Sequence, residues 1–352
     1  MKLIHSADIH LGSRIDSKFP REVSEKKREE VRNTFRRMVE YARDEGVTAI
    51  LLAGDVFDSD KPFKKDKEFF YSVVEKNPEI DFFYLRGNHD GEGERREFFN
   101  LKTFGEEWCT YAYGNVTVSG IETVAGNAIS LYSALTLDPG QTNIVMLHGQ
   151  IADAAGADKV HLASLRDKHI DYLALGHVHS YAAGVLDDRG TYVYSGCLEG
   201  RGFDETGEKG FVLLEVGENG ISHVFHPFCE RVITRLEVDI TGCDGAYSVF
   251  SHVRSLLEDP DGIYRIELIG EMDVQVDELE RDVKKFLSDL CLFVDVKDKT
   301  RRRVDIDAYL GDLSLAGEFV RRVFANEAYS EEQKAQIVGL GLRALNGNEV
   351  EL

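Results

Sequence analysis

Five short polar stretches, each placed directly behind an apolar run, constrain this chain more than any other feature. In order they are Asp8-Ile9-His10, Gly54-Asp55-Val56-Phe57-Asp58, Gly87-Asn88-His89-Asp90, His148-Gly149 and Gly176-His177-Val178-His179. The runs before them read as buried strands: Lys2-Leu3-Ile4, Ala49-Ile50-Leu51-Leu52, Phe82-Phe83-Tyr84-Leu85, Ile144-Val145-Met146-Leu147 and Tyr172-Leu173-Ala174-Leu175. Side chains at the carboxyl ends of adjacent strands converge on one edge of a sheet, where open α/β folds build their sites. The stretches hold four Asp, one Asn and five His, of which two Asp, one Asn and four His would be enough to hold two metal ions, with one further polar side chain for acid catalysis.

Between these strands the pattern alternates with helices. Apolar spacing predicts amphipathic helices over about 23–44 and 64–76 and strands near 48–53, 81–85, 143–147 and 172–175. Short strands with turn signals are expected over 108–135 and 181–228. The expected fold is therefore α/β: a two-sheet sandwich flanked by helices, over residues 1–232. From 233 to 300 a β-α-β-α-β order predicts a small α+β domain, with strands at Leu236–Ile240, Tyr264–Ile269 and Leu292–Val296 and helices at Tyr247–Leu257 and Val276–Leu290. Two helical segments with apolar faces follow in 301–352, after Arg301-Arg302-Arg303.

A chain of 352 residues exceeds what one core usually organises, which agrees with more than one domain. The five Cys are scattered, odd in number and without a CxxC pair, so a disulfide framework is not expected. No run approaches the roughly 18 apolar residues of a membrane span, and the chain opens directly on a strand. The expectation is a reduced, cytoplasmic protein with no membrane association. The net charge of −21 argues against a surface that binds nucleic acid everywhere. Basic residues still cluster locally: residues 14–37 carry nine Lys or Arg against five acids, and Lys61, Lys64, Lys65 and Lys67 crowd the segment after the second motif. This cluster reads either as a solvated helix face with Glu–Arg pairs or as a DNA contact.

Taken in order, the five motifs resemble those of the calcineurin-like metallophosphoesterase superfamily, whose signature runs D-x-H, G-D-x-x-D, G-N-H-D/E, H-x, G-H-x-H. The resemblance implies a pair of divalent ions. The first would be held by Asp8, His10, Asp55 and His179, the second by Asp55, Asn88, His148 and His177, with Asp55 bridging. Oxygen and imidazole donors without thiolate suit Mn, Fe, Co or Zn better than Ca or Cu(I). The resemblance makes His89 the general acid. It leaves Asp90 to orient that imidazole and Asp58 to support a ligand.

Within the superfamily, Ile4-His5-Ser6-Ala7-Asp8-Ile9-His10-Leu11-Gly12 and Gly54-Asp55-Val56-Phe57-Asp58 resemble the opening motifs of SbcD-type DNA repair exonucleases. In protein phosphatases an Arg-Gly follows the second motif, whereas Ser59 stands here. The layout of nuclease core, α+β capping domain and partner-binding helices is also similar. This resemblance implies a manganese-dependent 3′-to-5′ exonuclease with single-strand endonuclease activity, a homodimer, acting on DNA with an SbcC-like coiled-coil ATPase. The chain has no GxxxxGK[ST] loop, so ATP use would belong to that partner. Arg201 reads either as a phosphate contact or as an ion-pair partner of Asp204 or Glu205. Two other functions stay open at this point: a small-molecule phosphodiesterase, such as one for cyclic nucleotides, and a catalytically silent scaffold for an ATPase.

Overall fold

The computed structural model describes residues 1–352 except 16–18, 92–95, 219, 273–278, 303–308, 310 and 346–352. The chain divides into two compact units, Met1–Ile233 and Thr234–Leu352.

The first unit is built on two six-stranded sheets. One contains β1 (Lys2–Ser6), β2 (Ala49–Ala53), β3 (Asp81–Leu85) and β4 (Leu101–Thr103), paired in parallel in that order, and the hairpin β13 (Gly210–Gly217) and β14 (Gly220–Pro227) on the other side of β1. The second contains β5 (Cys109–Tyr113), β6 (Val116–Gly120), β7 (Thr142–His148), β10 (Tyr172–Gly176), β12 (Thr191–Tyr194) and β11 (Ala182–Val185), adjacent in that spatial order. A small pair, β8 (Gln150–Ile151) and β9 (Lys159–Val160), lies between β7 and β10 in sequence.

The side-chain period of two divides each strand between two cores. Leu3, Leu51 and Phe83 point between the sheets, where they meet Ile144, Met146, Tyr172 and Ala174. Their neighbours Ile4, Ile50, Leu52 and Phe82 point outward and are covered by helices. The cover consists of α1 (Arg21–Asp44) and α2 (Lys64–Lys76), which bury Val31, Phe35, Met38, Phe70 and Val74 at helical spacing. On the second sheet, Val145, Leu147, Leu173 and Leu175 are covered by Leu131, Tyr132, Leu135 and Leu165. The expected two-sheet sandwich flanked by helices is what the chain forms.

Two local expectations change. Residues 121–130 form no strand, and a short helix α3 (Leu131–Ala134) stands where a strand was expected. The basic face of α1 is not wholly solvated. Lys27 is fully buried, with Nζ 2.8 Å from Glu30 and 3.0 Å from Glu199, and Arg231 donates to Glu30 at 2.9 Å. Lys18 lies outside the described residues.

The second unit carries a three-stranded sheet in the order β15 (Ile233–Asp239), β16 (Ile263–Ile269), β17 (Phe293–Asp298), with β16 and β17 parallel. Helices α4 (Ala246–Arg254) and α5 (Leu279–Leu287) pack Val249, Val253, Val283 and Leu287 against Ile266, Leu268 and Val296. The expected start of α5 at Val276 lies outside the described residues. Helices Leu315–Phe324 and Glu331–Leu345 bury Val320, Val323 and Val338 in a small cluster of their own. Among the described residues, no helix is long and apolar enough to cross a membrane.

Candidate metal centre

The five motifs do not sit on one sheet. The first three leave β1, β2 and β3, and the last two leave β7 and β10. The strand ends open at the same edge of the sandwich, so each sheet contributes one side of the cluster. Register sets the alignment: His148 is paired with Gly176 across β7 and β10, and the Asp8 N–H donates to the Gly54 carbonyl at 3.0 Å.

The local backbone is bent to aim these side chains. Asp8, His10, Asp55 and His177 all have positive φ, of 52°, 51°, 54° and 97°. Non-glycine residues rarely adopt this conformation, and it collects where surrounding structure holds a functional side chain in place. Gly54 also has positive φ, and a Cβ there would collide with the His148 ring. Gly176 is needed for space rather than for a turn, since a Cβ would strike the Ala53 carbonyl.

All seven expected ligands are brought together. His10 Nε2 and His179 Nε2 stand 3.3 Å apart, and His179 Nε2 is 3.9 Å from Asp8 Oδ1. On the other side, Asn88 Oδ1 is 3.0 Å from His148 Nε2 and 3.1 Å from His177 Nδ1. Asp55 Oδ2 lies between the groups, 3.8 Å from His10 Nε2 and 3.4 Å from His148 Nε2. Asp8, His10 and His179 offer atoms within 4.8 Å of one another, as do Asp8, Asp55 and His148.

In His148, His10 and His179 the ring nitrogen facing away from the cluster lies beside an acceptor oxygen, which favours the tautomer with its proton on Nδ1. His148 Nδ1 donates to the Ala53 carbonyl at 2.9 Å. His10 Nδ1 lies 3.0 Å from Asp58 Oδ1, and His179 Nδ1 lies 2.8 Å from Glu205 Oε1. In that tautomer Nε2 of His10 and of His179 is a bare acceptor turned toward the other. Acceptors aimed at one point are what a cation requires, so the donor set fits two divalent ions.

Burial is the largest influence on Asp8, His10, Asp55 and His148. It pushes the Asp8 carboxyl up to about 6 despite His148 and His179, and lowers the His10 ring to about 4 against the pull of Asp58. For Asp55, burial is outweighed by His148 and His10, which hold the carboxyl well below its usual range. Burial opposes charge on His148, but Asp55 and Asp8 override it and raise the ring to about 9. A bound cation changes such values because its own charge dominates a site of this kind.

His89 is exposed at the mouth, its ring centroid 5.0 Å from that of His10, and its backbone N–H donates to Asp55 Oδ1 at 2.9 Å.

One expected role is corrected. Asp90 does not orient the His89 imidazole. Its buried carboxylate accepts from the N–H groups of Val56, Phe57 and Gly87, at 3.2, 2.8 and 3.0 Å, and so ties the second motif to the third. Of the two readings of Arg201, the ion pair with Glu205 is the one the structure shows. Its side chain is 8% exposed and is engaged by Glu205, by Asp58 at 3.0 Å and by Ser13 at 3.4 Å. Glu205 carries a role the sequence reading missed, that of holding His179. Its only signal was position, four residues beyond Arg201 in the segment after the last motif.

Comparisons with known proteins agree with this geometry. A family model described as Calcineurin-like phosphoesterase matches residues 1–181. An uncharacterized metallophosphoesterase, YhaO of Bacillus subtilis, is 29% identical over 72% of this chain and 66% of its own length. A DNA double-strand break repair protein Mre11 of Methanosarcina acetivorans is 24% identical over 78% of this chain. Another, from Haloferax volcanii, is 26% identical over 99% of this chain and 76% of its own length. The match spans about half of the Methanosarcina protein, 46%, and just under two thirds of the Bacillus one.

Proposed function

The chain belongs to the calcineurin-like phosphoesterase family, and from that premise we propose that it is a two-metal DNA nuclease. The observation that carries the reading is the position of Asp55 Oδ2 between His10 on one side and His148 on the other. That is where a carboxylate shared by two ions would stand. The proposed ligands are Asp8, His10, Asp55 and His179 for one ion and Asp55, Asn88, His148 and His177 for the other, with manganese as the metal.

When bound, the two divalent ions would supply an acidified water nucleophile and charge compensation on the phosphate. The chain's own residues do the rest. Asp58 and Glu205 hold the His10 and His179 rings in the tautomer that presents Nε2. His89, exposed at the mouth beside His10, gives a proton to the leaving oxygen. Asp90 fixes the turn that carries Asn88 and His89 by accepting three backbone hydrogens.

DNA as substrate is supported by the relatives named for DNA double-strand break repair and by the opening motifs of SbcD-type nucleases. On this reading the protein is a cytoplasmic 3′-to-5′ exonuclease and single-strand endonuclease, dimeric, with an SbcC-like ATPase as partner. Residues 1–232 form its nuclease domain and 233–300 a capping domain, and the helices in 301–352 bind the partner. A small-molecule phosphodiesterase is the second reading, favoured by the net charge of −21.

Manganese-dependent cleavage of labelled duplex, hairpin and single-stranded DNA, measured beside a chromogenic phosphodiester, separates the two. Cleavage of DNA is the expected result. Turnover of the small ester alone would select the second reading, and none on either would leave a silent scaffold.

A further inference from the structure

We infer that the cavity beside the metal centre is a nucleobase subsite, with Phe63 as its stacking surface. This rests on the nuclease reading and names how the substrate's end is held: one unpaired base lies against Phe63 while its phosphate is attacked.

The cavity has a volume of about 610 Å³ and its lining runs from Asn88 and His89 to Phe63. That volume falls within the range of small-ligand sites, and the cavity is continuous with the proposed general acid. Phe63 is 55% exposed, and the Lys65 ammonium lies over its ring, 5.8 Å from the centroid. An exposed aromatic alone is ordinary. Phe63, however, occupies the N-cap position of α2 and makes no capping hydrogen bond. A residue with a side-chain acceptor is strongly preferred there. Phe63 therefore has no capping role to hold its side chain, which lines a cavity that reaches Asn88 and His89.

The charges on the walls say which part of a nucleotide fits. Arg14 and Lys61 offer cations to flanking phosphates. Asp60 lines the same cavity, and its carboxylate repels a phosphate but accepts from the exocyclic amino group of a base. Phe63 provides the face on which any base stacks. A base can reach such a surface only after leaving its duplex partner, so the subsite selects frayed ends and single strands.

The test compares single-stranded oligodeoxynucleotides with a normal or an abasic terminal nucleotide, the abasic residue placed at each end in turn. The wild-type protein with manganese should prefer the base-bearing oligonucleotide in kcat/KM by roughly 5- to 150-fold at one end, the size of a base-stacking contact. Phe63→Ala should abolish that preference and Phe63→Tyr should keep it. Binding of the same oligonucleotides by fluorescence anisotropy, without added metal, should show the same ratio. No preference in the wild type, or an equal preference in Phe63→Ala, overturns the subsite and leaves the nuclease reading standing. Failure of the wild type to cleave any oligonucleotide overturns both.

Discussion

His10 Nε2 and His179 Nε2 face each other across 3.3 Å. With each ring's proton on its far nitrogen, beside Asp58 in His10 and beside Glu205 in His179, both facing nitrogens are acceptors. Two bare lone pairs held this close repel, and a cation placed between them turns the repulsion into two bonds. Arg201 completes the arrangement, since it pairs with both Asp58 and Glu205 and so couples the supports of the two rings.

Metal binding should therefore stabilise the first unit. At manganese concentrations about 100 times the dissociation constant, linkage adds about 2.7 kcal/mol, or a rise in Tm of about 5–10 °C. Calorimetry on metal-free and manganese-loaded protein measures it, and His179→Ala should remove most of the rise. Equal melting with and without manganese would contradict the site.

Arg201 should act through the two histidines. Arg201→Met leaves the Glu205 carboxylate buried without its cation and should cost about 3–5 kcal/mol of stability, read by urea unfolding. Arg201→Lys retains the charge but not the planar fork that reaches Asp58 and Glu205 together. It should weaken manganese binding by about 10–100-fold in a calorimetric titration. Unchanged affinity in both variants would make the residue purely structural.

His89→Gln should lower kcat by about 10²–10⁴-fold and leave metal affinity within a factor of about two. The imidazole is exposed at the mouth, and its backbone N–H, not its ring, contacts Asp55. Loss of metal in this variant would contradict its assignment to proton transfer.

Acid should destabilise the sandwich partly through His5. This ring is buried between the sheets, with Nδ1 2.9 Å from the Tyr172 hydroxyl, and burial lowers its pKa from 6.5 to about 3. Between those values the unfolded chain binds the proton and the folded chain does not. The stabilisation is complete above pH 6.5 and is lost as pH falls toward 3, with a slope of up to about 1.4 kcal/mol per pH unit. Urea unfolding at a series of pH values should show this slope in the wild type and its loss in His5→Gln. Identical slopes would exclude His5 as the source.

The ligand types were legible in the sequence because metal chemistry admits few donors and the donors follow strands. Leu3-Ile4, Ile50-Leu51-Leu52 and Ile144-Val145-Met146-Leu147 are buried on both faces, so their apolar runs are continuous and their ends easy to find. Distribution over two sheets was not legible, because it depends on long-range pairing: β13 inserts beside β1, and β12 beside β10. Glu205 and Lys27 were missed because a partner distant in sequence gives each its role, His179 for one and Glu199 for the other. The left-handed backbone at Asp8, His10 and Asp55 has no composition signal, since glycine would be the expected residue there.

Anomalous diffraction from crystals soaked in manganese would locate the ions themselves. Two peaks about 3.5–4 Å apart are expected, one between His10 and His179 and one between Asn88, His148 and His177, with Asp55 in contact with both. A single peak, or two peaks that do not share Asp55, would contradict the proposal.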